Sequence, residues 1–214
     1  IKGSDYVYNF AALADLNEAI NKPLDTAMIN IIGTINALKI SKKNKVKKFI
    51  QASSIYAMSE EGGFYGASKR AAEDYIEKYH MKHRLKYTIL RFGSLYGKNA
   101  DSNNGIKKIL RNALKKKTLF YRGKSNASRK YIHVQDAAAA CVKSTDMKYD
   151  NKYLNITGGK TIKISNVMKI ISKILNMDNK KILYSGKTDE GHYVNEPKYF
   201  KPRKGINLKL SKYT

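Results

Sequence analysis

Tyr65-Gly66-Ala67-Ser68-Lys69 sets a phenol and an amine four residues apart, and Ser53-Ser54 lies about a dozen residues upstream. On a helix, residues i and i+4 share a face, so Tyr65 and Lys69 would project into the same space. A free phenol, with a pKa of about 10, is a poor base at neutral pH. A neighbouring ammonium favours the phenolate, lowers that pKa and makes the hydroxyl a usable general acid or base. A serine hydroxyl from another segment can hydrogen-bond the same substrate oxygen as its proton leaves or returns. Such a trio suits moving a proton on and off a sugar or alcohol hydroxyl while a hydride moves to or from the carbon. By itself the Tyr-x-x-x-Lys spacing is weak, because a chain with 16 tyrosines and 42 lysines and arginines offers it by chance.

The elements around the trio raise its weight. Residues 5–12 read as a strand running into a turn of small residues. Residues 25–41 carry Ala27, Met28, Ile31, Ile32, Ile35, Leu38 and Ile40 at helical period. Residues 48–54 form the next predicted strand, 65–83 a helix, 87–92 a strand and 104–115 a helix. This alternation predicts an α/β fold built on a sheet. Ligands in such sheets sit at the carboxyl edges of strands, which is where Ser54 falls. Beyond Lys117 short strands (118–121, 130–133, 152–156) alternate with loops, and a helix is predicted over 165–175 with Ser165 as its cap. From Gly186 onward the chain is polar, holds two of the three prolines and is expected to be extended or loosely ordered.

The formal charge of +25 raises a nucleic-acid reading. The basic residues are mostly lysine, however, and are spread along the chain in runs such as 42–48 and 115–117, alongside many Asn, Ile and Tyr. No RGG tract, zinc spacing or basic helix with interleaved aromatics accompanies them. They are read as solvated surface charge, with an anionic partner left open, and their field would suit an acidic substrate either way. No run of 18 apolar residues and no leader pattern is present, so no membrane span is expected. Cys141, the single cysteine, sits in an apolar run and reads as a small core residue in a reducing, cytoplasmic setting. His80 and His83 suggest no third ligand nearby, and no metal is expected.

From about residue 5 to 159, ordered segments resemble the extended short-chain dehydrogenase/reductase family, in particular its NAD-dependent sugar-nucleotide epimerases and dehydratases. These are Asp5-Tyr6-Val7-Tyr8-Asn9-Phe10-Ala11-Ala12, Asn30-Ile31-Ile32-Gly33-Thr34, Phe49-Ile50-Gln51-Ala52-Ser53-Ser54, Phe64-Tyr65-Gly66-Ala67-Ser68-Lys69, Leu90-Arg91-Phe92-Gly93-Ser94-Leu95-Tyr96-Gly97 and Arg129-Lys130-Tyr131-Ile132-His133-Val134-Gln135-Asp136. The resemblance implies a Rossmann-like doubly wound parallel sheet in residues 1–117. It also implies a smaller mixed α/β substrate lobe in 118–214, with 130–145 returning to the sheet. It implies catalysis by Ser54, Tyr65 and Lys69, with Lys69 lowering the Tyr65 pKa. Cofactor contacts would come from Ala11, Ala12, Leu13, Asn30, Ser53, Tyr65, Lys69, Phe92 and Gly93. Substrate contacts would come from Ser94, Asn104 and Arg129, whose guanidinium would hold a diphosphate. His133 and Asp136 are read as structural.

The implied activity is an NAD-dependent 4-epimerase acting on a sugar nucleotide through a transient keto-sugar, in a homodimer. A dehydratase or reductase, or a non-catalytic relative that binds RNA or protein, are the alternatives. Ile55-Tyr56 stands where dehydratases carry an acid pair, and Glu60-Glu61 read as solvated loop charges, which favours the epimerase. The family's Gly-x-x-Gly-x-x-Gly turn does not occur in this sequence. The expectation is that these residues are part of a longer protein. The choice between NAD and NADP, and the identity of the sugar, stay open.

Overall fold

The structure, a computed structural model, describes residues 1–187, 192, 194–195, 200, 204–208 and 210. The chain opens with β1 (Tyr6–Asn9), α1 (Leu16–Asn21) and α2 (Pro23–Ala27), which runs through a π turn (Met28–Ile32) directly into α3 (Gly33–Lys43). Then follow β2 (Lys48–Ser54), a short 3-10 turn (Ile55–Met58), α4 (Gly63–His83), β3 (Lys86–Phe92) and β4 (Ser94–Tyr96). The second half comprises α5 (Gly105–Lys116), β5 (Leu119–Tyr121), β6 (Ser128–Arg129), β7 (Tyr131–His133) and α6 (Val134–Lys143). It continues through β8 (Lys152–Ile156), β9 (Ile162–Lys163), α7 (Ile164–Ile174), β10 (Ile182–Tyr184) and β11 (Ile206–Asn207).

A parallel sheet in the order β1-β2-β3-β8-β11 forms the centre. β2 and β3 are buried along almost their whole length, as interior parallel strands with both faces covered must be. Side chains alternate between the faces. Phe49, Tyr87 and Ile89 meet Leu38 of α3 and Ile76 of α4 on one side. Ile50, Leu90, Phe92, Leu154 and Ile156 meet Ile132, Ala137 and Ala140 of β7 and α6 on the other. Helices on both faces make the sheet Rossmann-like. A second core joins Ile109 and Ala113 of α5, Leu119 of β5, and Val167, Met168 and Ile171 of α7. Among the described residues β1 is the outermost strand on its side, with Tyr6 and Tyr8 on it and Phe10 just beyond it exposed and the Tyr8 and Phe10 rings stacked 6.1 Å apart.

Within residues 5–12 the strand occupies Tyr6–Asn9 and the turn follows it. Other expectations change. α7 begins at Ile164 with Lys163 as its cap and no side-chain cap bond, so Ser165 lies inside the helix. Part of the stretch after Gly186 falls outside the described residues. Within it, Ile206–Asn207 adds a fifth parallel strand beside β8. Lys48, read as one of a run of solvated lysines, is only 3% exposed. Its ammonium lies against the carbonyls of Ser144 (3.2 Å), Thr145 (3.0 Å) and Asp146 (2.9 Å) at the end of α6, and 2.5 Å from Asp150 Oδ1. The carbonyls at and just beyond the cap of a helix are a natural seat for a cation, although Ser144 also accepts from Thr88 Oγ1 at 3.3 Å and Asp146 from the Tyr149 N–H at 3.1 Å.

Candidate active site

β2 delivers Ser53 and Ser54 to the carboxyl edge of the sheet, and strand alternation sends them to opposite sides. Ser53 turns inward, its hydroxyl donating to the buried Glu73 carboxylate at 2.6 Å. Ser54 caps the 3-10 turn, accepting from the Tyr56 N–H at 3.3 Å, and its side chain hydrogen-bonds the Tyr65 phenol. The two adjacent serines thus face different partners.

The return into α4 is made by Gly62, whose φ of +88° favours glycine. A Cβ there would also lie 2.7 Å from the Tyr56 side chain, so the tight approach of this loop needs the missing carbon. Tyr65 therefore falls in the first turn of α4, its ring edge-on to Tyr56 with centroids 6.5 Å apart. One turn later, Lys69 is buried, donates to the Ala52 carbonyl at 3.0 Å, and places Nζ 5.7 Å from the Tyr65 ring centroid. Phenol, amine and alcohol thus converge at one sheet edge.

Burial governs the acid–base character of the pair. It pushes the Tyr65 phenol up to about 12, opposed by the Ser54 hydrogen bond. It draws the Lys69 ammonium down to about 8, opposed by the charge of Glu73. At Tyr65 loss of water outweighs the Ser54 hydrogen bond. The Lys69 shift has a consequence for stability. Between pH 8 and 10.5 the unfolded chain holds the lysine proton that the folded chain has lost, so stability rises with pH across that window. Below pH 8 the buried charge is a standing cost. Lys69→Met is accordingly expected to be more resistant to urea than the native chain at pH 7. The gap should narrow as pH climbs from 8 toward 10.5, read from denaturation midpoints at several pH values.

Asn30 ties the turn after β1 to α4. Its Oδ1 accepts from the Leu13 N–H at 2.8 Å, and its Nδ2 donates to the Leu13 carbonyl (3.0 Å) and to Ser68 Oγ (2.9 Å). Ser68 in turn donates to the Tyr65 carbonyl at 2.8 Å. Asn30 sits in the π turn, a local widening of the helix of a kind often found at functional sites. Leu13 is thereby fixed and buried, while Ala11 is exposed and Ala12 half-buried beyond the end of β1. Phe92 pairs in register with Ser54. At Gly93 a Cβ would come 2.5 Å from the Lys130 carbonyl, so this position serves the passage of β7 past the strand end. Ser94 begins β4, its N–H bonded to that same carbonyl at 2.8 Å.

The remaining expected site residues lie in the second half of the fold. Asn104 is the N-cap of α5, accepting from the Lys107 N–H at 3.2 Å and donating to the Leu95 carbonyl at 2.8 Å. Arg129 is buried and donates to the Ser128 carbonyl (2.8 Å) and the Tyr121 hydroxyl (3.3 Å). His133 caps α6, accepting from the Gln135 N–H. Sequence reasoning missed Tyr56, whose hydroxyl lies 2.8 Å from His192 Nδ1 while its ring packs on Tyr65. It also missed Glu73, although Tyr65, Lys69 and Glu73 repeat at helical four-residue spacing. Glu61 is half-buried with one carboxylate oxygen lacking a partner among the described residues, and so is less solvated than expected. Among the described residues no group of three metal-ligating side chains occurs, and no helix is long and apolar enough to cross a membrane.

A parallel sheet with helices on both faces and a Ser/Tyr/Lys cluster at its carboxyl edge defines a Rossmann-like α/β protein. Residues 1–157 match the model of the NAD dependent epimerase/dehydratase family, and the chain belongs to that family. It is 28% identical over 187 residues to a putative UDP-glucose 4-epimerase of Methanocaldococcus jannaschii, covering 79% of this chain and 61% of the relative. It is 26% identical to a UDP-glucuronate 4-epimerase of Thermodesulfobacterium geofontis, covering 82% and 58%. The chain thus spans about three-fifths of the length of these curated relatives. Among solved structures, the UDP-glucose 4-epimerase of Thermotoga maritima with UDP-glucose superposes with a TM-score of 0.80 at 25% identity, covering 90% of this chain and 68% of that one. The UDP-N-acetylglucosamine 4-epimerase of Methanobrevibacter ruminantium M1 gives 0.81 at 26%, covering 92% and 69%.

Proposed function

We propose that the protein is an NAD-dependent 4-epimerase acting on a sugar nucleotide. The observation that carries this reading is the convergence of Ser54, Tyr65 and Lys69 at the sheet's carboxyl edge. The residues present suit the nicotinamide–ribose end of the cofactor. Among the described residues the buried Lys69 ammonium has one protein acceptor, the Ala52 carbonyl, which leaves two donors for ribose hydroxyls. Ala11 and Ala12 at the end of β1 leave the approach unobstructed, and Leu13 is locked beneath by Asn30. When bound, NAD would accept a hydride from the sugar carbon and return it to the other face of a keto-sugar. Tyr65 would take the sugar hydroxyl proton and give it back, Ser54 would hold the reacting oxygen, and Lys69 would stabilise the phenolate as it forms.

Arg129 would anchor the diphosphate of the substrate. Charge-assisted hydrogen bonds to a guanidinium are worth about 1.5–3 kcal/mol each. Arg129→Met is therefore expected to raise KM for the sugar nucleotide about 10–100-fold with a smaller change in kcat, read by steady-state kinetics. Incubating the full-length protein with NAD and UDP-sugars, and following the sugar configuration by NMR, tests the whole reading. Failure to isomerise any of them would overturn it.

One observation favours a second reading. Glu61, just before α4, keeps a carboxylate oxygen buried and unpaired among the described residues, and an extra acid near the trio is what loss of water from the sugar would require. A dehydrated keto-sugar product would decide for a dehydratase. Assembly as a homodimer through the helices at 23–43 and 63–83 is supported by exposed Ile29, Ile32, Ile40 and Tyr75, and light scattering tests it. A cytoplasmic location fits the unpaired Cys141.

A further inference from the structure

Glu73 stands one helical turn beyond Lys69, so Tyr65, Lys69, Glu73 and Glu77 form one stripe along α4. Glu73 and Arg91 of β3 are both wholly buried. Arg91 grips the carboxylate with two bonds, Nε to Oε1 at 2.9 Å and Nη2 to Oε2 at 2.6 Å. Ser53 Oγ donates to the same Oε1 at 2.6 Å. Behind the pair, the Arg91 guanidinium lies 4.2 Å over the Tyr153 ring, and the Tyr153 hydroxyl donates to Glu77. A buried ion pair is a costly way to fill a core, since apolar residues of like volume are often equally stable or more so. This one joins β2, β3 and α4, the three elements that present Ser54, Phe92 and the Tyr65–Lys69 pair.

We propose that Glu73, clamped by Arg91, is a positioning residue for the active site: it fastens Ser53, and with it the carboxyl edge of β2, against α4, and sets a fixed negative charge behind the Lys69 ammonium. The inference rests on the epimerase reading for its catalytic meaning, though not for its geometry. The titratable groups that bear on Lys69 are Tyr65 and Glu73 on its own helix. β2 offers the Ala52 carbonyl and the two serine hydroxyls, and Arg91 acts from β3 through Glu73. Burial draws the ammonium toward neutrality and Glu73 opposes it, so loss of Glu73 should leave Lys69 less charged at neutral pH.

The test replaces both charges together, Glu73→Met with Arg91→Leu, which avoids stranding either one in the core. Lysine side chains labelled with 13C at Cε are titrated by NMR in the full-length protein, with the Lys69 signal assigned by its loss in Lys69→Met. Kinetics are measured across pH in parallel. The expected result is a folded double variant whose Lys69 midpoint falls by about half to one pH unit. Its kcat should drop about tenfold with KM nearly unchanged, and the alkaline limb of kcat should move to lower pH by the same amount. A folded double variant with the native Lys69 midpoint and native kcat overturns the proposal. Should the double variant not fold, Glu73→Asp decides. It keeps the charge but draws it back by about 1.5 Å, so the same signs at smaller size are expected, and an unaltered midpoint and kcat again overturns the proposal. If the native protein isomerises no sugar nucleotide, the epimerase reading falls alone, because the Lys69 midpoint is read without substrate and still judges the role of Glu73.

Discussion

Tyr65→Phe is expected to lower kcat by about 10²–10⁴-fold, the usual worth of a positioned general acid–base group, while KM for the sugar nucleotide stays within a few-fold. The ring keeps its edge-on contact with Tyr56, and Ser54 keeps the Tyr56 N–H as a partner, so the fold should be little disturbed. A net stability change of about 1 kcal/mol or less follows from losing one hydrogen bond. Steady-state rates of isomerisation, together with a thermal melt of the same preparation, make the check. A variant that retains more than a tenth of the native kcat would remove Tyr65 from the chemistry, and with it the mechanism proposed for the trio.

Lys48→Met is expected to cost about 3–5 kcal/mol of stability, because it takes the buried cation from polar groups arranged around it. For a chain of this size that corresponds to a melting temperature lower by roughly 6–20 °C. The carbonyls of Ser144, Thr145 and Asp146 lose the ammonium, Ser144 and Asp146 keeping Thr88 Oγ1 and the Tyr149 N–H as donors, and Asp150 is left with Lys86, 2.8 Å away and half exposed. Lys48 opens β2 and Ser54 closes it, so the two lie at opposite ends of one strand and kcat at a permissive temperature should be unaffected. Burial alone would raise the Asp150 carboxyl, but Lys48 and Lys86 together outweigh it and hold the group below its ordinary 3.8. The stability this gives is complete above that value and is lost as pH falls through the depressed one. The native chain should therefore lose more stability on acidification below pH 4 than Lys48→Met does.

The parts of this protein that sequence reveals are those with a local signature. Short apolar runs placed β2 and β3 to within a residue, because both strands are buried almost end to end. The Tyr65–Lys69 spacing was legible for the same reason: both residues sit on one helix, and the helix supplies their geometry. What escaped depends on pairs distant in the chain. Lys48 lies in a lysine run and looks like its exposed neighbours until α6 brings carbonyls to it from residues 144–146. Ser53 and Ser54 are chemically identical, and only the strand's orientation against α4 decides which one meets the phenol. The Glu73–Arg91 clamp needs two elements to be folded before either partner has meaning. β11 is two residues long and held by backbone pairing, which leaves no periodic trace.

The tight return into α4 has a practical consequence for variation at position 62. Any side chain there would meet the Tyr56 Cβ at 2.7 Å in a backbone conformation with φ of +88°, so the loop would have to open and carry the start of α4, and Tyr65 with it, away from Ser54.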